Sequence, residues 1–329
     1  MFCHDGMAMT DLILCLWALP VAILLDLGFG EPPSWCHPVV AMGYFLKLFG
    51  RPMTRLPAGP ALIAGCLAWS VGAALVVAVA IAVDRILQEL AQDRLLTPGL
   101  GLPVAEFLLG ILLKPLFSWR MLRDEVANVE RRMGQSLSDG RAQLQRLVSR
   151  DVALLNETEI RESAIETLAE NLNDSLVAPL FWFAIGGLEG AALYRFANTA
   201  DAMWGYRGEY EWAGKAAAKI DDLMNWLPAR LTALLICLAA GRALSLAEMR
   251  HQASQTPSPN GGWPMGTMAL LGGIRLGKPG VYCLNEGGRP PRPHDLWQAL
   301  RWSGGAVGGA ATLSMAGLLL QLLWHWREM

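Results

Sequence analysis

Four carboxylates recur at every fourth position in the stretch RESAIETLAENLNDSLVAPLFWF: Glu162, Glu166, Glu170 and Asp174, with Asn171 and Asn173 beside them. On a helix that spacing stacks all four acids along one face. Like charges four residues apart destabilise an isolated helix by roughly 0.2–0.5 kcal/mol a pair, so the ladder calls for cationic partners, a bound metal or ample water. Two further acidic groups follow, Asn198 with Asp201, and Asp221-Asp222 with Asn225; in each, a carboxylate and an amide lie three or four residues apart. Such pairs suit convergence on one cation or one polar ligand, which makes Glu170, Asp174, Asp221 and Asp222 candidate ligands of a hard cation. Arg195, Lys219 and Arg230 lie among them and are suited to hold phosphates or a substrate carboxylate. The plainer reading is a solvated helix face. The context weighs against it, because the ladder ends directly against the apolar run LVAPLFWFAIGG.

Three other stretches carry polar side chains among turn residues. DLGFGEPPSWCHP holds Asp26, Glu31 and His37, and Asp26 is placed to face an aqueous cavity at a membrane edge. The alternative there is a loop shaped by its glycines and prolines, with His37 making one ordinary hydrogen bond. SPNGGWPMG presents Asn260. GGIRLGKPG presents Arg275 and Lys278, suited to a phosphate or serving only as a turn between interfacial helices. Gly272 to Lys278 satisfies GxxxxGK, but Pro279 stands where a phosphate-binding loop has its magnesium-ligating Ser or Thr, and no strand is predicted before it. The motif is therefore set aside. The six cysteines lack CxxC spacing and read as small apolar side chains, and the five histidines form no cluster.

The elements that position these groups belong to a membrane protein. Of 329 residues, 53% are hydrophobic and 17% charged, against about 25% charged for an ordinary soluble domain. A net charge of −2 gives no basic stripe for nucleic acid. Residues 60 to 83 carry no charge over 24 positions and 303 to 324 none over 22, each long enough to span a bilayer. Gly304, Gly305, Gly308 and Gly309 give the latter a small-residue face for close helix packing. With weaker runs included, the prediction is an all-α, multi-pass membrane domain with five or six membrane segments, near 11–28, 60–83, 100–118, 176–194, 226–241 and 303–326. Polar segments 119–175 and 242–302 lie between them. No Lys or Arg precedes Lys47, so the first apolar run reads as a retained membrane segment and not a cleaved signal.

Strict alternation over six spans would put 18 of the 24 Lys and Arg residues of the connecting segments on one side, which the positive-inside rule makes cytoplasmic. It would also strand Asp201, Asp221 and Asp222 opposite the ladder. The runs at 176–194 and 226–241 are therefore read as re-entrant, returning every acidic group to the cytoplasmic face.

ETLAENLNDSLVAPLFW, YRFANTADAMWGY and KIDDLMNWLPARLTALL closely resemble the integral-membrane adenosylcobinamide-phosphate synthases of cobalamin biosynthesis, the CobD/CbiB family, as do DLGFGEPPSWCHPVVAMG and SPNGGWPMGTMALLGGIRLGKPGVY. The five matches occur in the same order over nearly the whole chain. The resemblance implies a carbon–nitrogen ligase of the bacterial cell membrane that joins aminopropanol, or its phosphate, to a propionate of adenosylcobyric acid. ATP and Mg2+ would be the cofactors, with the cobalt corrinoid as substrate and later membrane enzymes of cobalamin assembly as partners. Catalytic roles would then fall on Glu166, Glu170, Asp174, Asp221 and Asp222. Substrate or ATP binding would fall on Asp26, His37, Asn171, Arg195, Asn198, Asp201, Lys219, Asn225, Arg230, Asn260, Arg275 and Lys278. A magnesium-dependent transferase acting on a diphosphate would need DDxxD, of which DDLMN at Asp221–Asn225 supplies half. A sensory relative would keep the helices and lose the acidic groups, and a transporter has only Glu106 and Glu189 in its favour.

Overall fold

The computed structural model describes residues 9–96, 103–206 and 208–328; Cys3, His4 and the start of the 100–118 run lie outside them. Among the described residues the architecture is helical, with one two-stranded hairpin. Four helices are long and apolar enough to cross a membrane: Met9–Phe29, Ala58–Ala91, Glu157–Trp204 and Pro293–Glu328. Lys215–Met224 and Trp226–Ala240, bent by 44°, add a fifth if they count as one span. The chain is thus an all-α, multi-pass membrane protein. It divides into two compact units. The described residues of the first fall within Met1–Ser118, Pro179–Met224 and Ala311–Met329, and the second comprises Trp119–Ala178 and Asn225–Ala310.

In the first unit, α1 (Met9–Phe29), α2 (Pro38–Met53), α3 (Ala58–Leu96) and α4 (Val104–Leu113) precede α8 (Ala178–Trp204) and α9 (Lys215–Met224). The sequence pattern sets which face of α3 is buried. Leu67, Val71, Leu75 and Val79, four residues apart, are each more than half exposed, as a lipid-facing stripe would be, while Ala73, Ala80 and Leu87, seven apart, are buried. Where the sequence predicts a segment near 100–118, the described helix α4 has ten residues, bounded by Pro103 and Lys114-Pro115. The apolar run at 176–194 is broken at Gly186 and Gly187, and Gly187 has φ 57°, a left-handed conformation that favours glycine.

Gly65 on α3 permits a close approach by the turn ahead of α9: a Cβ there would lie 1.9 Å from the Ala213 carbonyl oxygen. Gly65→Ala is expected to destabilise the protein by about 1–3 kcal/mol through overpacking. Gly59→Ala, with nothing within 4 Å of the added carbon, serves as the control. Equal melting temperatures in detergent for the two variants would refute the close packing.

In the second unit, α5 (Arg120–Met133), α6 (Leu137–Gln145) and α7 (Glu157–Leu172) precede a π-helical turn over Asn173–Val177, then α10 (Trp226–Ala240), α11 (Leu246–Ala253), α12 (Gly262–Gly272), a hairpin of β1 (Leu276–Lys278) and β2 (Tyr282–Leu284), and the first part of α13 (Pro293–Glu328). Helix α7 starts at a capping box in which Asn156 accepts from the Glu159 amide and Glu159 accepts from the Asn156 amide. Arg161 fastens it to α5 with a paired bond to Glu130 at 2.8 and 2.9 Å. The predicted glycine face is present: a Cβ at Gly305 or Gly309 would lie 2.7 Å from Ala239 or 2.8 Å from Leu235 of α10.

Candidate functional site

The ladder forms a helix face, as its spacing requires, and it obtains its cations from other elements of the second unit. Glu162 meets Arg275 at 3.2 Å, and Glu166 meets Arg150 at 3.5 Å. Both carboxylates are buried, while Glu170 at the far end is exposed. The hairpin supplies the rest of this surface. β1 lies against α7 with Gly277 beside Glu162, and β2 brings the Tyr282 hydroxyl near Glu166. Burial and the neighbouring Glu166 and Glu170 carboxylates push the Tyr282 phenol far above its ordinary range, so it is a hydrogen donor at any working pH. Lys278, at the exposed end of β1, completes a strip of alternating charge.

The GxxxxGK segment therefore runs from the end of a helix into a strand, the reverse of the strand-to-helix order of a phosphate-binding loop. Its Lys and Arg serve the ladder directly.

Asp174 falls outside the regular stacking because the π turn begins at Asn173, where the Ala178 amide reaches back five residues. Such turns occur often at functional sites. Here the turn buries Asn173, whose amide donates to Asp174 Oδ1 and to Asn225 Oδ1, both at 2.8 Å, while its carbonyl accepts from Thr232 at 3.0 Å. Two predicted residues from distant stretches, Asp174 and Asn225, are thus joined through a third. Asn173→Ala should cost about 1–3 kcal/mol by removing a buried donor and acceptor together. Thermal unfolding in detergent checks this, and a melting temperature equal to that of the wild type would refute the network. Asn171 donates its side-chain amide to the Thr167 carbonyl one turn back.

Arg230 and Asn260 also come together. The guanidinium lies 4.6 and 4.7 Å from the ring centres of Trp226 and Trp263 and donates to Asn260 Oδ1 at 2.9 Å, holding the SPNGG loop on α10. That loop runs past the ladder, for a Cβ at Gly261 would lie 3.3 Å from Glu170 Oε1.

In the first unit, Asp26 does not face an aqueous cavity. It is 1% exposed and pairs at 3.1 Å with Lys114, which also reaches Glu31 at 2.7 Å. His37 caps α2 by accepting from the Val39 amide, and its other ring nitrogen lies 3.2 Å from Glu31. Burial alone would raise the Glu31 carboxyl. The bond and charge of Lys114, with the Ser118 hydroxyl and His37 beside the carboxylate, outweigh it and hold Glu31 below its ordinary value. An apolar cavity of about 810 Å³ in this unit counts Glu31 and Lys114 as its charged lining residues. Elsewhere in the unit, Asn198 on α8 donates to Asp221 on α9 at 3.3 Å, and Asp222 pairs loosely with Lys219 at 3.9 Å. Arg195 and Asp201 lie on α8, three residues to either side of Asn198.

Among the described residues no three His, Cys, Asp or Glu side chains converge as a metal cage would need. Of the predicted cation ligands, Glu170 and Asp174 belong to the second unit and Asp221 and Asp222 to the first. Sequence reasoning missed Arg150, Tyr282 and Lys114 as site residues. The only signal for Arg150 and Lys114 was the need for cations opposite the acids, and Tyr282 had none.

Fold and site together define a multi-pass membrane protein with a buried, charge-paired polar centre. Residues 19–303 match the family model described as CobD/Cbib protein. The chain is 36% identical over 284 residues to the probable cobalamin biosynthesis protein CobD of Pyrococcus furiosus, covering 86% of this chain and 92% of that one. It is likewise 36% identical to the cobalamin biosynthesis protein CobD of Chromobacterium violaceum, covering 92% and 96%, and 35% identical to that of Dehalococcoides mccartyi, covering 84% and 88%. No solved structure matches it. The chain belongs to the CobD/Cbib family.

Proposed function

We propose that the protein is a membrane enzyme of cobalamin biosynthesis that joins the amine of aminopropanol phosphate to a propionate carboxylate of adenosylcobyric acid, driven by ATP hydrolysis. Family membership supports the pathway. The observation that carries the chemistry is the second unit's strip of carboxylates and cations, running from buried Glu166 and half-buried Arg150 to exposed Glu170 and Lys278.

The reaction has two steps. A propionate oxygen attacks the γ-phosphorus of ATP and ADP leaves, giving an acyl phosphate. The amine nitrogen, having lost a proton to a carboxylate, then attacks the acyl carbon and phosphate departs. Magnesium bound with ATP would neutralise the triphosphate, with Glu170 and Asp174 the second unit's carboxylates suited to hold it. Arg275 and Lys278 are the side chains suited to phosphate oxygens on the second unit. Asn173, the Arg230 clamp and the hairpin hold these groups in register, which is where positioning contributes to rate. The reading places the protein in the cell membrane with the strip on the cytoplasmic face, where ATP is found.

Purified protein incubated with adenosylcobyric acid, ATP, magnesium and aminopropanol phosphate should form adenosylcobinamide phosphate, and omission of any one component should stop it. Absence of product from folded protein with all four present would refute the reading.

A further inference from the structure

Arg150 and Glu166 each keep one polar atom uncommitted. Glu166 is 5% exposed; its Oε2 faces Arg150 at 3.5 Å, while its Oε1 is buried and accepts no hydrogen bond. Arg150 Nη2 bonds to Ser163, whereas Nη1 is buried and has no hydrogen-bond partner. A buried donor or acceptor left in this state is costly. An acceptor and a donor side by side in an ion pair mark a place prepared for a ligand that supplies the opposite of each.

The charge balance narrows the ligand. A lone cation would be repelled by Arg150 and a lone anion by Glu166. The neighbours do not tip the balance, since Glu162 has Arg275, while Glu170 and Lys278 contribute one charge of each sign. A molecule that carries both charges a few bonds apart satisfies both orphaned atoms. We propose that Arg150 and Glu166 together bind a small zwitterion, with a primary ammonium donating to Glu166 Oε1 and a phosphate or carboxylate accepting from Arg150 Nη1. Tyr282, facing the same carboxylate, positions it. Under the reading above, on which this identification rests, the zwitterion is the amine phosphate substrate, and Arg150 is a further substrate-binding residue.

Calorimetry on the full-length protein in detergent, without ATP or corrinoid, tests the assignment with aminopropanol phosphate, aminopropanol and inorganic phosphate as probes. Glu166→Gln and Arg150→Gln should each weaken binding of aminopropanol phosphate by at least about tenfold, the scale of one charged hydrogen bond. Aminopropanol should respond to Glu166→Gln alone and phosphate to Arg150→Gln alone, with Arg150→Lys recovering part of the phosphate affinity. Unchanged affinity in both glutamine variants, or equal loss of all three probes in both, would overturn the proposal. The expected pattern in a protein that forms no product would leave this site standing and remove the ligase reading. Product formation with normal binding in both variants would do the reverse.

Discussion

Replacing Lys114 by Met is expected to destabilise the protein by about 3–5 kcal/mol, the scale for removing one partner from a buried ion pair. Two carboxylates share that ammonium. Asp26 at 1% exposure has no bulk water to replace it, and Glu31 is only partly exposed. Lys114→Met combined with Asp26→Asn and Glu31→Gln should recover much of the loss, because neutral amides tolerate burial better than carboxylates. The pH dependence has a fixed sign. Glu31 is held below its unfolded value of 4.5, so its contribution is present above that pH and disappears as the pH falls through the lower folded value. Lys114→Met should flatten this acid limb. Melting curves in detergent across that range measure both effects, and a Lys114→Met protein as stable as the wild type would refute the cluster.

The second large effect is on rate. If Glu166 only completes the packing of α7, Glu166→Gln keeps its shape and should leave turnover nearly intact. If it binds the reacting amine, the change removes a negative charge where positive charge is handled. A loss of at least about 10²-fold is then the expected scale. Expression and melting temperature should stay near wild type, because Gln fills the same volume. Glu170→Gln, Asp174→Asn, Asp201→Asn, Asp221→Asn and Asp222→Asn make the same comparison for the other acids. Near-normal turnover in all six proteins would leave the acidic stretch a structural feature.

The ladder is legible in the sequence because its period is that of a helix, and its self-repulsion correctly calls for cations. Which cations is not legible. Arg275 lies 113 residues from Glu162, and Lys114 lies 83 from Glu31, separations that carry no local signal. Spacing likewise places Asp174 on the ladder, whereas a π turn that no residue pattern announces hands it to Asn173. Apolar length reveals the long helices, and glycine spacing reveals the contact between α10 and α13. The short hairpin escapes, since LGKPGVYCL contains few alternations and its two strands have three residues each. Arg230 and Asn260 both stand out in the sequence, but their pairing depends on a Trp sandwich formed from two separate elements.

In the proposed reaction ATP activates a corrinoid carboxylate for amide formation, and the fate of that carboxylate's oxygen reports on the activation. With heavy oxygen in the propionate carboxylate of adenosylcobyric acid, and with ATP, magnesium and aminopropanol phosphate, an acyl phosphate requires one labelled oxygen to leave in inorganic phosphate for every amide formed. That label is expected in phosphate, in step with ADP and adenosylcobinamide phosphate. Amide formation with no label in phosphate, or in the absence of ATP, would contradict it.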